Sequence, residues 1–320
     1  YSQKVLNECS EPIARIEALY QIGVSYSLKG EIADAAQFLS QALELAKQGE
    51  QAAYIEWQSM IMAYQGWMEA ATYLKFSKKS ICKIDDAIEI VQKHYHDILS
   101  PKIATRLKAY HYTTKGDALC KMGLYQQALD DGFQQAQRLL DLKVTESPHF
   151  ILNLYIQIGM GECYLRLNQL DKAQAALENV IHNGSLLVGE WCALLFAPRV
   201  LLLEIYLKLK NYPMAKKLIH HIYQTKRDKL NYTKLIDCLF SHLMIVCLQK
   251  ENTILQQDDE YIHQAAVAFL NTSELGIHFK KQKDRLSCVH KNQEDLSKDE
   301  VYQIIKTIIL NFIKKGIDYD

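Results

Sequence analysis

The residues best suited to chemistry in this chain are its eleven histidines, its eight cysteines and two adjacent aspartate pairs, and their spacing argues against catalysis. His94 and His96 stand two apart and His220 and His221 are neighbours, so each pair diverges on a helix. No HExxH occurs and no Cys or His group has zinc spacing, while His278 and His290 flank a polar stretch with no carboxylate set. No metal site is expected. The cysteines, at 9, 82, 120, 163, 192, 238, 247 and 288, contain no CxxC and sit mostly in apolar stretches, the pattern of a reduced intracellular protein. Cys120 and Cys163 fall at helix-packing positions and are expected to be buried and inert. Gly159 and Gly161, in IGMGEC, lack the third glycine and flanking strands of a dinucleotide fingerprint and read as close helix packing. There is no serine elbow or kinase signature. Asp85–Asp86 and Asp130–Asp131 lie near helix starts, where carboxylates need no catalytic role. No cofactor and no enzymatic activity are expected.

The bulk composition narrows the partners. Thirty-seven basic side chains balance thirty-seven acidic ones, which disfavours nucleic acid as a ligand. The basic run from His278 to Arg285 and the pair Lys314–Lys315 are too short to change that, or to mark an acidic lipid surface. The most apolar stretch, Val188 to Leu209, is broken by Glu190, Pro198, Arg199 and Glu204, so membrane insertion is not expected. The expected location is cytoplasmic or otherwise intracellular. The chain opens on Tyr1 rather than Met, as a piece of a longer polypeptide or a processed product would.

Such a chain must position its side chains with helices. Only 13 glycines and 5 prolines punctuate 320 residues, too few for an all-β or Rossmann-type protein. Apolar residues recur with a helical period over 13–29 and 31–47, parted at Gly30. The pattern returns over 52–76 with 78–97, 102–122 with 125–141, and 148–167 with 170–182. It returns again in a helix ending near Leu209 with 212–228, and over 232–249 with 258–280. Short turns between such helices make antiparallel hairpins. We expect an array of about six hairpins over 1–283, a polar linker over 284–297 and a C-terminal helix over 298–320 that caps the array.

Four segments carry an internal repeat. They are YQIGVSYSLKGEIADAAQFLSQAL from Tyr20, TKGDALCKMGLYQQALDDGFQQAQ, IGMGECYLRLNQLDKAQAALENVI from Ile158, and LLEIYLKLKNYPMAKKLIHHIY. Each has a small or apolar residue, an apolar one three later, and a small one nine beyond. In this they resemble the tetratricopeptide repeat. The small residue in mid first helix is matched by Gly23, Gly116 and Gly161, with Leu203 departing. The aromatic three positions on is matched by Tyr26, Tyr164 and Tyr206, with Leu119 departing. The Ala of the second helix is matched by Ala35, Ala128, Ala173 and Ala215. Leu39, Leu177 and Ile219 follow four later, with Gly132 departing; then come Ala42, Val180 and Ile222, with Gln135 departing. The pair over 52–97 matches poorly and rests on periodicity alone. Spacings of 45 from Ala128 to Ala173 and 42 from Ala173 to Ala215 exceed the family's 34. They are more like the irregular arrays of bacterial signal-transduction and transcription regulators or of large-assembly subunits.

The resemblance implies an all-α solenoid, a superhelix of antiparallel hairpins whose first helices line a concave binding face. Tyr20, Tyr110, Tyr112 and Tyr155 would lie early on those helices. Val24, Asp117, Glu162 and Glu204 follow the family's small position, and Leu28, Lys121, Arg166 and Lys208 come four later. Three hairpins thus repeat an acid with a base at i+4, which either steadies an exposed helix or forms a charge ladder for a partner. Trp57, Met60, Trp67 and Met68 form either a docking surface or packing between hairpins. The Lys and Asn set by which some family members clamp chaperone tails is absent, Tyr20, Val24, Tyr110 and Thr114 standing at the matching positions. The expected function is a scaffold or regulatory domain that binds a peptide or partner protein, as part of a larger protein or complex. The alternative is a sensor domain that closes a Tyr-lined pocket on a small molecule or signalling peptide.

Overall fold

The structure, a computed structural model, describes residue 6 and residues 10–73, 78–141, 148–188, 193–209, 211, 213–215 and 217–218. The expected linker, the C-terminal helix and the hairpin over 232–280 lie outside these residues. The chain divides into two compact units, Tyr1–Ala176 and Leu177–Asp320.

The described residues are helical. In the first unit α1 (Pro12–Leu28) pairs with α2 (Ile32–Ala46), and α3 (Ala52–Tyr73) with α4 (Lys78–Lys93). Next, α5 (Pro101–Lys121) pairs with α6, a helix running through Tyr125–Gln127, Ala128–Phe133 and Gln134–Asp141. Then come α7 (Pro148–Arg166) and α8 (Leu170–Val188), which crosses the unit boundary. In the second unit a 3₁₀ turn at Ala193–Leu195 leads into α9 (Phe196–Lys208). Two of the first helices start on a proline behind a capping side chain. Glu11 accepts from the Ala14 N–H at 2.7 Å, and the Ser100 hydroxyl from Ile103 at 3.4 Å.

One turn recurs and explains the nine-residue spacing of the repeat. The first helix ends on a residue with positive φ: Gly30 at 82°, Gly123 at 77° and Asn168 at 57°. The next N–H reaches back to the carbonyl of the repeat's aromatic position: Glu31 to Tyr26, Leu124 to Leu119, Gln169 to Tyr164 and Asn211 to Tyr206, at 2.8–3.0 Å. This is a Schellman-type closure, which satisfies carbonyls left over at the helix end. The same four residues then accept from Ala35, Ala128, Ala173 and Ala215, at 2.8–3.1 Å, opening the second helix. From aromatic to alanine is therefore one closed turn plus one helical turn.

The glycines set the crossing of the two helices. A Cβ on Gly23 would meet Leu39 at 2.8 Å, one on Gly66 would meet Ile84 at 2.8 Å, and one on Gly116 would meet Phe133 at 2.9 Å. These contacts put Ile84 and Phe133 in the role of Leu39, each fully or nearly fully buried.

Two expectations from the sequence are thereby corrected. The second hairpin does share the frame. It is hidden because Gly66 and Ser80 stand fourteen apart where Gly23 and Ala35 stand twelve apart, and because Glu69 occupies the aromatic position and pairs with Lys83. In the third hairpin Gly132 and Gln135 are not substitutions at packing positions. Ala128–Phe133 is a π-helical turn, which accommodates one extra residue and shifts the register by one. Phe133 and Ala136, 1 % and 0 % exposed, take the places that Leu39 and Ala42 hold in the first hairpin. Gly132 brings its backbone against that of Gly116, where no side chain fits. The ends also move: α4 stops at Lys93, before a turn in which Leu99 donates to His94 at 3.0 Å. The helix α8 continues to Val188, six residues past the expected end.

Candidate docking face

The first helices of the first unit bring two kinds of side chain together. Toward their N-terminal ends lies an aromatic group. Tyr20 of α1 packs its ring 5.4 Å from Trp57 and 5.7 Å from Tyr64, both on α3. Its hydroxyl pairs with that of Tyr110 on α5, and Tyr155 on α7 is near enough to raise the Tyr110 pKa. Burial is the main cause by which Tyr20, Tyr64 and Tyr110 are held protonated above the ordinary phenol range. Exposure increases across the group: Tyr20 is 7 % exposed and Tyr155 is 53 % exposed. Ile151, one turn before Tyr155 on α7, is 49 % exposed. Tyr20 therefore supports this face from beneath, and Ile151 with Tyr155 reaches solvent.

Toward the C-terminal ends lies a polar tier. The Trp67 indole donates to Asp117, and Asp117 lies 3.9 Å from Lys121 on the next turn of α5. Asp117 foremost, and Glu162 of α7 as well, hold Lys121 protonated to higher pH, against the opposing effect of partial burial. Asp117, Lys121 and Glu162 thus come together across two hairpins, with Arg166 four residues past Glu162. In the second unit Glu204 pairs with Lys208 at 3.5 Å on α9. An exposed i,i+4 pair contributes about 0.3–0.5 kcal/mol, so stability alone gives this tier little weight.

The remaining sequence candidates are packing residues. Val24, half-buried, lies against the core of Ile16, Leu19, Leu39 and Ala42. Met68 is 3 % exposed in the same core, and Trp57 and Trp67 pack on it half-buried. Met60 lies half-buried against Ile55, Val91, Leu99 and Leu107. Two features gave no sequence signal. The Trp67–Asp117 bond joins residues 50 apart. The exposure of Ile151 depends on what α7 leaves uncovered, although its i,i+4 spacing to Tyr155 was readable.

Two polar groups are buried behind this face. His111 of α5 is 0 % exposed with neither ring nitrogen bonded, and burial pulls its pKa down to about 3. Cys163 of α7 points its thiol at Cys120 of α5, 3.8 Å away. Among the described residues, no group of three His, Cys, Asp or Glu side chains could hold a metal ion. Nor is any described helix long and apolar enough to cross a membrane.

Residues 16–48, which span the first hairpin, match the tetratricopeptide repeat. No curated protein sequence matches the chain. Among solved structures, the apo form of RapI is similar at 13 % identity and a TM-score of 0.53, over 94 % of this chain and 100 % of that one. BtubC (BKLC) from P. vanneervenii aligns at 10 % identity and a TM-score of 0.49, over 88 % of this chain and 92 % of that one. At such identities the likeness to RapI concerns the fold. With the turn that closes four hairpins on one frame, the match over the first hairpin and the likeness to RapI support an all-α solenoid fold whose first hairpin is of the tetratricopeptide repeat type.

Proposed function

We propose that the chain is a non-catalytic docking scaffold, which takes a peptide or partner protein on the first-helix face of its first unit. The observation that carries this reading is the solvent-facing pair Ile151 and Tyr155, beside Tyr110 and above the Asp117–Lys121–Glu162 tier. A folded chain gains nothing by exposing a large aliphatic and an aromatic side chain one turn apart, whereas an interface does. The charged tier adds orientation more than affinity. Tyr155 supplies the apolar anchor, and Lys121, Glu162 and Arg166 set the register of the partner along the helices. The repeat type agrees, since tetratricopeptide hairpins serve in protein interaction and regulation. A small-molecule sensor would need a closed Tyr-lined pocket, but where the tyrosines gather, the rings of Tyr20, Trp57 and Tyr64 fill the space against one another.

The test is capture of partners from a native extract by the full chain, followed by titration of the recovered partner. Tyr155→Ala is expected to weaken binding at least about tenfold, the scale of an interface anchor. Glu162→Lys with Arg166→Glu is expected to weaken it less and to flatten or invert its salt dependence. A partner that binds all three chains equally would place the docking face elsewhere.

A further inference from the structure

We infer that Cys120 and Cys163 form a reversible disulfide that pins the third hairpin to the fourth, directly beneath the docking tier. The geometry is that of a pair in contact. The two sulfurs lie 3.8 Å apart on neighbouring first helices, with no residue between them. Cys120 is 6 % exposed and Cys163 0 %, and both belong to one apolar cluster with Leu129, Phe133, Leu140 and Ile156. Closing to the bonded distance of about 2 Å asks for a displacement that side-chain rotation and a small helix shift can share. The neighbouring residues matter as much. Lys121 follows Cys120 and Glu162 precedes Cys163, so the bond would join the two backbones where the tier is built. Asp117, Lys121 and Glu162 sit on the turns that the bond would fix.

The chemistry balances with a small-molecule disulfide as oxidant. One cysteine thiolate attacks it, forming a mixed disulfide and releasing one thiol. The second cysteine attacks the protein-bound sulfur, the S–S bond between them forms, and the second small thiol leaves. Two protein thiols are oxidised and one external disulfide is reduced to two thiols. The hydrogen bond it shares with Cys163, then burial, holds Cys120 in its thiol form, so reaction follows local opening of the hairpin contact and is slow. The closed bond then spans 43 residues of chain, from the first helix of one hairpin to that of the next. Control of the docking face by this bond rests on the reading proposed above; the crosslink itself does not.

The experiment treats the full chain with oxidised glutathione, blocks free thiols after unfolding and maps the peptides by mass spectrometry. Hydrogen exchange is followed in parallel on both redox forms. The expected result is a peptide joining Cys120 to Cys163 that disappears on reduction and in Cys163→Ser. Amide exchange over 117–121 and 159–163 should slow by about tenfold or more in the oxidised form. Recovery of both cysteines as free thiols, as glutathione adducts alone, or linked to other cysteines would overturn the proposal. So would a Cys120–Cys163 link that leaves exchange over both helices unchanged. Loss of partner binding in Tyr155→Ala bears only on the docking reading.

Discussion

The first and third hairpins close with the same turn and cross at the same glycine, yet their second helices differ by one residue. In the first, Ala35 and Leu39 stand four apart, and α2 is regular over 15 residues. In the third, Ala128 and Phe133 stand five apart, and α6 takes up the difference in a π turn. The frame has been kept and the helix geometry has yielded, because a misplaced packing residue costs more than one locally widened turn. The cost is concentrated at one point. The π turn needs glycine on both sides of the crossing, Gly132 against Gly116, while a bulky Phe133 closes the wedge and reaches Gly159 of the next hairpin. The first hairpin meets the same requirement with Gly23 alone, under an ordinary leucine.

The comparison can be broken most sharply at that crossing. Gly132→Leu would drive a side chain into the Gly116 backbone, which cannot rotate away, and should cost about 3 kcal/mol or more in urea unfolding. A loss below about 1 kcal/mol would mean that the backbones have room to part.

The third hairpin also carries a titration that the first lacks, since no histidine occurs between residues 12 and 46. His111 stays neutral in the fold because burial lowers its pKa to about 3, while the unfolded side chain titrates near its ordinary value of 6.5. The unfolded chain therefore binds the proton first. The contribution to stability is complete above pH 6.5 and is lost as the pH falls toward 3, at up to about 1.4 kcal/mol per pH unit. His111→Phe should remove that slope, measured by denaturant unfolding between pH 7 and pH 4.5; an unchanged slope would show the imidazole to be solvated in the fold.

The smallest expected effect sits in the second hairpin. Ser80 holds the place of Ala35 with its hydroxyl buried and unbonded. Ser80→Ala should raise stability by about 1 kcal/mol, by removing a desolvated group and restoring the common alanine. A destabilised variant would mean that the hydroxyl has a partner.

Much of this frame was legible in the residues. Gly23, Tyr26 and Ala35, with their counterparts in three later segments, reported a turn whose hydrogen bonds fix the nine-residue spacing. Periodicity placed the helices of the second hairpin but not its register, because two added residues and a Ser at the alanine position remove the signal that a fixed spacing would carry. The third hairpin misled in a different way. Its extra residue lies inside a helix, where nothing in the types Leu129, Asp130 or Asp131 marks a change of pitch, so Gly132 and Gln135 read as substitutions. On the docking face, Lys121 and Glu162 were readable as members of i,i+4 pairs. Their approach across α5 and α7, and the Trp67 bond to Asp117, depend on how hairpins stack, which a single sequence does not encode locally.

The central claim is that the hairpins share one frame and that the third holds one inserted residue. Deleting Gly132 tests it most directly, paired with deletion of exposed Gln37 from the same stretch of α2. On this account the first deletion returns Phe133 to the register of Leu39. Such a chain should keep its helical circular dichroism and a cooperative melt, with stability within about 1 kcal/mol of the parent. The second deletion moves Leu39 off Gly23 and should unfold its hairpin. Equal losses from the two deletions would contradict the account.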